Sequence, residues 1–201
     1  MARRRRAGCG RVVSARRAAR SSSVTATSMR AIRTAACRRR AREKLAEHQR
    51  NPHGAGRLPT TGGTWRGRPG NGTWVPDPGT DLAEALKRYP GRNGVEFRNG
   101  FPDFSPFTKR GSDGLPAVVE IPNMRGNNGG IGRDGFEGDF GQARQAMEAR
   151  TGKRWNAGRQ ESGYTWHHME DGTTMRLVDA DIHGAVPHQG GASMMRDTQT
   201  F

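Results

Sequence analysis

The sequence contains few of the residues that usually hold a small domain together. Only 6% of its 201 residues are aromatic and 32% are hydrophobic, whereas it has 29 glycines and 11 prolines. Its two cysteines, Cys9 and Cys37, lie close to the N-terminus, so neither a disulfide framework nor a cysteine-based metal site is expected. A composition this polar predicts a small folded domain with long irregular flanks.

Long apolar segments are also missing. No run is long enough to cross a membrane. The first six residues carry the positive charge of a signal peptide, but arginines interrupt the segment that follows, so no signal peptide is recognised. The first 42 residues lack acidic residues and are rich in Arg, Ser, Ala and Thr, which is also typical of an organelle transit peptide.

The formal charge of +15 is concentrated at one end of the chain. Residues 1–50 contain 16 Lys and Arg against two acids, whereas residues 51–201 contain 18 against 17. Such a segment indicates either a polyanionic partner or a solvated arm. We expect a basic, mostly disordered arm over residues 1–50, which says little about the function of the rest.

Composition changes again near residue 93. Residues 51–93 are rich in Gly, Pro and Thr and are expected to be a linker with one short helix. That helix is predicted to begin with Asp81 as its N-cap and to end at Pro90. Residues 94–201 have the alternation and the periodicity of a small α+β domain.

Three features are predicted within this domain. Residues 117–121 have the composition of a strand. Asp139 is expected to cap a helix whose period continues through Phe140, Ala143 and Met147. A ββα unit is predicted over the last part of the chain, where the histidines are concentrated.

Four of the six histidines fall within 22 positions, namely His167, His168, His183 and His188. The pattern predicts a strand over 164–169, a tight Asp-Gly turn, a return strand over 173–178 and a short helix over 182–185. Consecutive strand residues point to opposite faces. One of the two adjacent histidines should therefore face the helix that carries His183, and the other should stay free beside it.

This arrangement suits the hydrolysis of a phosphodiester. One divalent metal ion, whether Zn, Ni, Mn or Mg, would bind the scissile phosphate through neutral imidazole ligands, and a separate histidine would take a proton from the attacking water. Arg154, Arg159 and Arg176 are candidates for holding phosphates, although each alone is better explained as a solvated surface charge. Trp166 is expected to pack in the core rather than to stack on a base.

The run YTWHHMEDGTTMRLVDADIHGAVPHQGG resembles the WHH branch of the HNH/endonuclease VII superfamily, whose nuclease domains occur at the C-termini of bacterial polymorphic toxins. FRNGFPDFSPF and the helix start at Asp139 fit the same family, so the resemblance covers roughly residues 94–195. It is also similar to the DNase domains of colicins, which have a metal ligand followed by a catalytic base. The resemblance implies that His167, His183 and His188 are metal ligands and that His168 is the catalytic base. Arg176 is a further catalytic candidate that does not come from the resemblance.

Two departures from that pattern stand out. The helix ligands are five residues apart rather than four, with Pro187 between them, so His188 must reach back from beyond the helix end. The middle Asn of the HNH pattern, which braces the loop between the strands, is replaced by Thr174 or Asp171.

The resemblance implies a metal-dependent endonuclease with a ββα-metal fold that cleaves nucleic acid, DNA more than RNA. A bacterial toxin or effector with a cognate immunity protein is expected, because the chain ends 13 residues after His188 as a toxin tip does. Its location would then be the cytoplasm or, after delivery, a target cell. The alternative is a non-catalytic nucleic-acid-binding protein that uses a structural zinc site and its basic arm.

Overall fold

The computed structural model describes residues 35, 38, 39, 42, 43, 46, 58–129 and 137–196. The few described residues of the arm are helical, and Arg38 donates a hydrogen bond to Glu120 at 2.7 Å. The disorder expected for most of the arm concerns residues outside this description. Within the described ranges no helix has the length and apolar character needed to span a membrane.

Two antiparallel sheets and a set of short helices give the described residues the α+β fold that the sequence predicts. The strands are β1 (Gly63–Arg68), β2 (Asn71–Pro76), β3 (Val95–Arg98), β4 (Phe101–Pro102), β5 (Val118–Glu120), β6 (Tyr164–His168) and β7 (Thr174–Asp179). The helices are α1 (Asp81–Leu86), α2 (Asp139–Thr151), α3 (Ala157–Gln160), α4 (Ala180–Ala185) and α5 (Gly191–Arg196), with a 3-10 turn at Ser105–Phe107. One sheet has the order β1-β2-β3-β4 and the other β5-β7-β6.

The first hairpin lies where the sequence predicts a linker. Strands β1 and β2 pair along their whole length, and Pro69-Gly70 forms the two-residue connection. Gly70 has a φ of 77°, which a glycine adopts without steric cost. Trp65 lies opposite Trp74, and their ring centroids are 5.5 Å apart. The linker prediction is wrong for residues 63–76. The cross-strand contact between the two tryptophans stabilises a hairpin in a segment whose Gly- and Pro-rich composition is typical of a linker.

Helix α1 ties this hairpin to the rest of the protein. Its N-cap is Thr80 rather than Asp81, and the Thr80 hydroxyl accepts the backbone N–H of Ala83 at 3.3 Å. Leu82 and Leu86 are buried in a core that also contains Trp74 and, from β7 and α4, the side chains of Val178, Ile182 and Val186. The folded unit therefore begins before residue 94.

The second core lies between α2 and the β5-β7-β6 sheet. Ala143 and Met147 of the helix pack with Trp166 and Leu177 of the strands, and all four side chains are buried. The helix begins one residue earlier than a cap at Asp139 predicts, because Gly138 is the N-cap and Asp139 is the first helical residue. The carboxylate of Asp139 is used elsewhere, as described below.

The predicted ββα unit is confirmed. Strands β6 and β7 pair antiparallel with His167 opposite Arg176. Asp171 closes the turn by accepting the N–H groups of Thr173 and Thr174 at 2.9 and 2.7 Å, so this aspartate braces the loop between the strands. Helix α4 follows β7 directly, and the side chain of Asp179 accepts two N–H groups of its first turn.

Candidate functional site

Strand β6 separates the two adjacent histidines. His167 is 2% exposed and His168 is 4% exposed, so both rings lie in the interior. His167 faces α4, whereas His168 lies on the same side of the strand as Trp166 and contacts α2. The two faces of one strand therefore carry two different polar sites, as the alternation predicts.

The first of these sites is a cluster of three histidines, called here the histidine cluster: His167, His183 and His188. One ring nitrogen from each lies within 4.8 Å of the others. Nδ1 of His167 is 3.2 Å from Nε2 of His183. His188 donates Nδ1–H to the carbonyl oxygen of Val186 at 2.7 Å, which leaves its Nε2 for the cluster. The chain after Pro187 thus turns back, and the five-residue spacing brings His188 to the same place.

Phe104 forms the apolar wall of the histidine cluster. Its ring centroid lies 5.0, 5.4 and 5.2 Å from those of His167, His183 and His188. Phe104 is 2% exposed and belongs to the first core. The sequence analysis assigns it no role, although it lies in the PDFSPF segment that contributes to the family resemblance. Such a wall keeps bulk water away from the imidazoles.

The surroundings keep the clustered imidazoles neutral. Burial lowers the pKa of His167 well below its ordinary value, and the neighbouring histidines lower it further. Burial also lowers the pKa of His183 to about 3. The pKa of His188 is lowered by burial as well, against the opposing effect of its hydrogen bond to Val186. A neutral imidazole has a lone pair to donate, which is the form that binds a metal ion.

Unpaired polar atoms are concentrated around this cluster. In the described part of the chain, the buried side-chain atoms that lack a hydrogen-bond partner are His167 Nε2, Glu170 Oε1, Arg176 Nε and Gln189 Oε1. Each belongs to His167, to a residue within three positions of a cluster histidine or to the partner of His167 across the strand pair. Folded proteins leave few such atoms, so their accumulation indicates a site that takes up a further group.

The donor set fits a divalent transition metal. Two nitrogens that bind one tetrahedral metal at ~2.05 Å lie ~3.3 Å apart, and the His167–His183 nitrogen separation is 3.2 Å. Three imidazoles without thiolate ligands are typical of metal sites that keep an open position for water or substrate. The residues present therefore fit a zinc-like or nickel-like ion.

The second site joins His168 to Asp139. Nε2 of His168 lies 3.0 Å from Oδ2 of Asp139, a residue with no exposed surface. The same carboxylate accepts the backbone N–H groups of Arg125, Gly126 and Asn127 at 3.0, 2.7 and 3.2 Å. His168 is thus separate from the histidine cluster, as the alternation predicts, but it is paired with a carboxylate and is not free. A carboxylate at Nε2 favours the tautomer with its proton on Nε2 and its lone pair on Nδ1.

The three candidate arginines lie in different places. Arg176 is half-buried on β7 opposite His167, and its Nη1 donates to the hydroxyl of Thr108 at 3.2 Å. Arg154 and Arg159 are exposed on the segment between α2 and β6. The structure thus brings Arg176 to the histidine cluster, whereas the binding of nucleic acid by the other two stays a prediction.

Glu170 is the residue of this region that the sequence analysis interprets as part of a turn. Its side chain is only 15% exposed, and Oε1 lies 3.8 Å from Nε2 of His167. Burial raises the pKa of Glu170 to about 7. No local sequence signal distinguishes it from the neighbouring Asp171, which does close the turn.

Comparison with known proteins finds one family model that matches the segment containing these residues. No curated protein matches the chain significantly. Residues 157–198, which include all four site histidines, match the family model of WHH, a nuclease of the HNH/ENDO VII superfamily with conserved WHH. The match covers the ββα unit and supports nuclease activity for this part of the chain, which is therefore similar to the WHH nucleases of that superfamily.

Proposed function

We propose that this protein is a metal-dependent endonuclease that hydrolyses phosphodiester bonds in DNA. The proposal rests on one observation, which is that the two faces of β6 carry two different polar sites. A cluster of neutral imidazoles lies on one face of the strand, and a separate carboxylate-held histidine lies on the other. A protein that only binds nucleic acid around a structural metal has no need of the second site.

In this proposal His167, His183 and His188 hold one divalent ion. When bound, the ion supplies a Lewis acid for the scissile phosphate and its developing negative charge. Neutral ligands leave the full positive charge of the ion available to that phosphate. Arg176 lies beside the cluster and contributes a fixed cation to the same phosphate group.

His168 removes a proton from the attacking water in this proposal. Asp139 orients the ring and stabilises the charge that the imidazole acquires when it takes the proton. Because His168 leaves the strand away from the histidine cluster, its Nδ1 lone pair is not used as a metal ligand. Asp139 is thus a positioning residue that acts through His168.

A bacterial toxin or effector role, with a cognate immunity protein, is proposed from the resemblance to polymorphic-toxin nucleases. Expression of the wild-type chain in a bacterial cytoplasm should lower colony numbers, whereas expression of His168→Ala should not. Equal colony numbers for the two chains, at equal protein levels, would contradict the toxin role.

The nuclease proposal is tested with the full-length chain, supercoiled plasmid and a labelled RNA, each incubated with Mg²⁺, Mn²⁺, Ni²⁺, Zn²⁺ or EDTA. We expect nicking of the plasmid that needs a metal ion, stops in EDTA and is lost in His183→Ala. His48→Ala removes a histidine outside the cluster and should cleave like the wild type.

Two results would overturn parts of this proposal. Retardation of nucleic acid without cleavage under any metal would favour the non-catalytic binding protein with a structural zinc site. Cleavage of RNA in the absence of plasmid nicking would reassign the substrate.

A further inference from the structure

We propose that Glu170 is a positioning residue of the histidine cluster. Its carboxylate accepts the Nε2–H of His167 and thereby directs Nδ1 of His167 at the bound ion. This inference rests on the proposed metal binding by His167, His183 and His188.

The two nitrogens of His167 face different surroundings. Nδ1 points into the cluster, where it lies 3.2 Å from Nε2 of His183. Nε2 is buried and has no hydrogen-bond partner among the described residues. A metal ion on Nδ1 fixes the imidazole proton on Nε2, so this atom becomes a donor in need of an acceptor.

Glu170 offers that acceptor. Its Oε1 is also buried without a partner in the described part of the chain, and it is 3.8 Å from Nε2 of His167. A hydrogen bond of ordinary length needs the two atoms to approach by about 1 Å. A buried donor and a buried acceptor, each unpaired, thus face one another across a gap that a small side-chain rotation closes.

The backbone holds Glu170 at this position. Met169 donates its N–H to the carbonyl of Thr174 at 2.9 Å, which fixes the end of β6 immediately before Glu170. The start of α5 lies against the same segment, since a Cβ built on Gly191 meets the carbonyl oxygen of Met169. These contacts fix the backbone immediately before Glu170.

A simple turn role does not explain this residue. Asp171 already closes the loop with its side chain, and a turn glutamate would normally extend into water. Burial of a carboxylate oxygen without a partner costs free energy, so the unpaired Oε1 of Glu170 does not stabilise the metal-free core. Carboxylates that accept the second N–H of a metal-bound histidine are a common feature of metal sites, where their loss lowers metal affinity by about 10- to 100-fold.

Zn²⁺ affinity and thermal stability together test the proposal on full-length protein. Zn²⁺ binding is measured by competition with a chromophoric chelator for wild type, Glu170→Gln, Glu170→Ala and Glu120→Gln, the last removing an exposed carboxylate on β5. We expect both Glu170 variants to bind Zn²⁺ about 10- to 100-fold more weakly and Glu120→Gln to bind as the wild type does. The melting temperature of metal-free Glu170→Gln should equal or exceed that of the metal-free wild type.

The ring ¹⁵N chemical shifts of His167 in the Zn²⁺-loaded wild type supply a second readout. They should show the metal on Nδ1 and the proton on Nε2. Unchanged Zn²⁺ affinity in both Glu170 variants, or a metal on Nε2 of His167, would overturn the role of Glu170 while leaving the metal site intact. Absence of Zn²⁺ binding by the wild type would overturn the metal site itself.

Discussion

Nε2 of His168 and Oδ2 of Asp139 are 3.0 Å apart, although the two residues are 29 positions apart in the chain. The contact joins the strand that carries the histidine pair to the first turn of α2. Three backbone N–H groups of residues 125–127 hold the carboxylate from the other side. The backbone thus holds the Asp139 carboxylate in place independently of His168. The fixed carboxylate sets the orientation and the tautomer of the His168 ring.

The Asp139→Asn variant should distinguish the role of Asp139 in orienting His168 from its contribution to stability. The amide can still accept hydrogen bonds but lacks the negative charge that the proposed mechanism places beside His168 when it takes the proton, so we expect cleavage at saturating metal to slow by at least ~10-fold. The lost charge-assisted hydrogen bonds should cost about 1–3 kcal/mol of stability. Zn²⁺ affinity should stay at the wild-type value, because Asp139 touches no residue of the histidine cluster in the described contacts.

Arg144→Ala is the matched control for that variant. It destabilises the same helix by removing the ion pair with Glu161 at 2.8 Å, but it leaves His168 and Asp139 in place. Cleavage by the folded fraction should match the wild type. An equal loss of activity in both variants would mean that Asp139 acts only through the stability of α2.

Asp179 should make the stability of the fold depend on pH. Burial raises its pKa, but hydrogen bonds from Tyr89, Arg88 and the first turn of α4 outweigh this effect and hold the pKa below its ordinary value. Because the folded-state pKa is depressed, the stabilisation is present above the unfolded pKa of ~3.9 and is lost as the pH falls through the folded value. Asp179→Asn should therefore lower the free energy of unfolding by about 1–3 kcal/mol at pH 7.

Urea unfolding at pH 7 and at pH 3 measures this difference. The difference in the free energy of unfolding between wild type and Asp179→Asn should be smaller at pH 3 than at pH 7. Asp181→Asn, which alters an exposed partner of Arg88, should change stability by less than ~0.5 kcal/mol at either pH. A gap that stays constant with pH would refute the assignment of the stabilisation to the ionised carboxylate.

Trp166 should contribute to stability and not to catalysis. It is 2% exposed, and its indole N–H donates to Oε1 of Glu161 at 2.8 Å, an oxygen that Trp155 also contacts. Trp166→Phe loses that hydrogen bond and leaves a small cavity, at a cost of about 1–3 kcal/mol. Cleavage per folded, metal-loaded molecule should be unchanged. If it falls while the protein stays folded, the tryptophan must contact the substrate.

The sequence was sufficient for the ββα unit because its signals are local. The Asp171-Gly172 turn, the alternation along β6 and the cap at Asp179 all act within a few residues. They predict that one of the two adjacent histidines faces α4, and in the structure that residue is His167. The spacing problem at His188 resolves because Nδ1–H of His188 donates back to the carbonyl oxygen of Val186 at 2.7 Å, which leaves Nε2 for the cluster.

The remaining features depend on contacts between distant parts of the chain. Asp139 has the sequence signature of a helix cap, and only the packing of α2 against β6 turns its carboxylate to His168. Phe104 meets the histidine cluster from a segment more than 60 positions away. Trp65 and Trp74 form a strand pair inside a composition typical of a linker. No local pattern encodes these partners.

The most direct test of the account is the single-turnover cleavage rate of plasmid at saturating metal for wild type, His168→Ala and His168→Gln. Glutamine can still donate to Asp139 but has no basic nitrogen. The account predicts that both variants cleave about 10²- to 10⁴-fold more slowly while the folded protein keeps the metal content of the wild type. The melting temperature should fall more in His168→Ala, which loses a buried side chain and its hydrogen bond, than in His168→Gln. A rate within a few-fold of the wild type in either variant would contradict the role of His168 as the base.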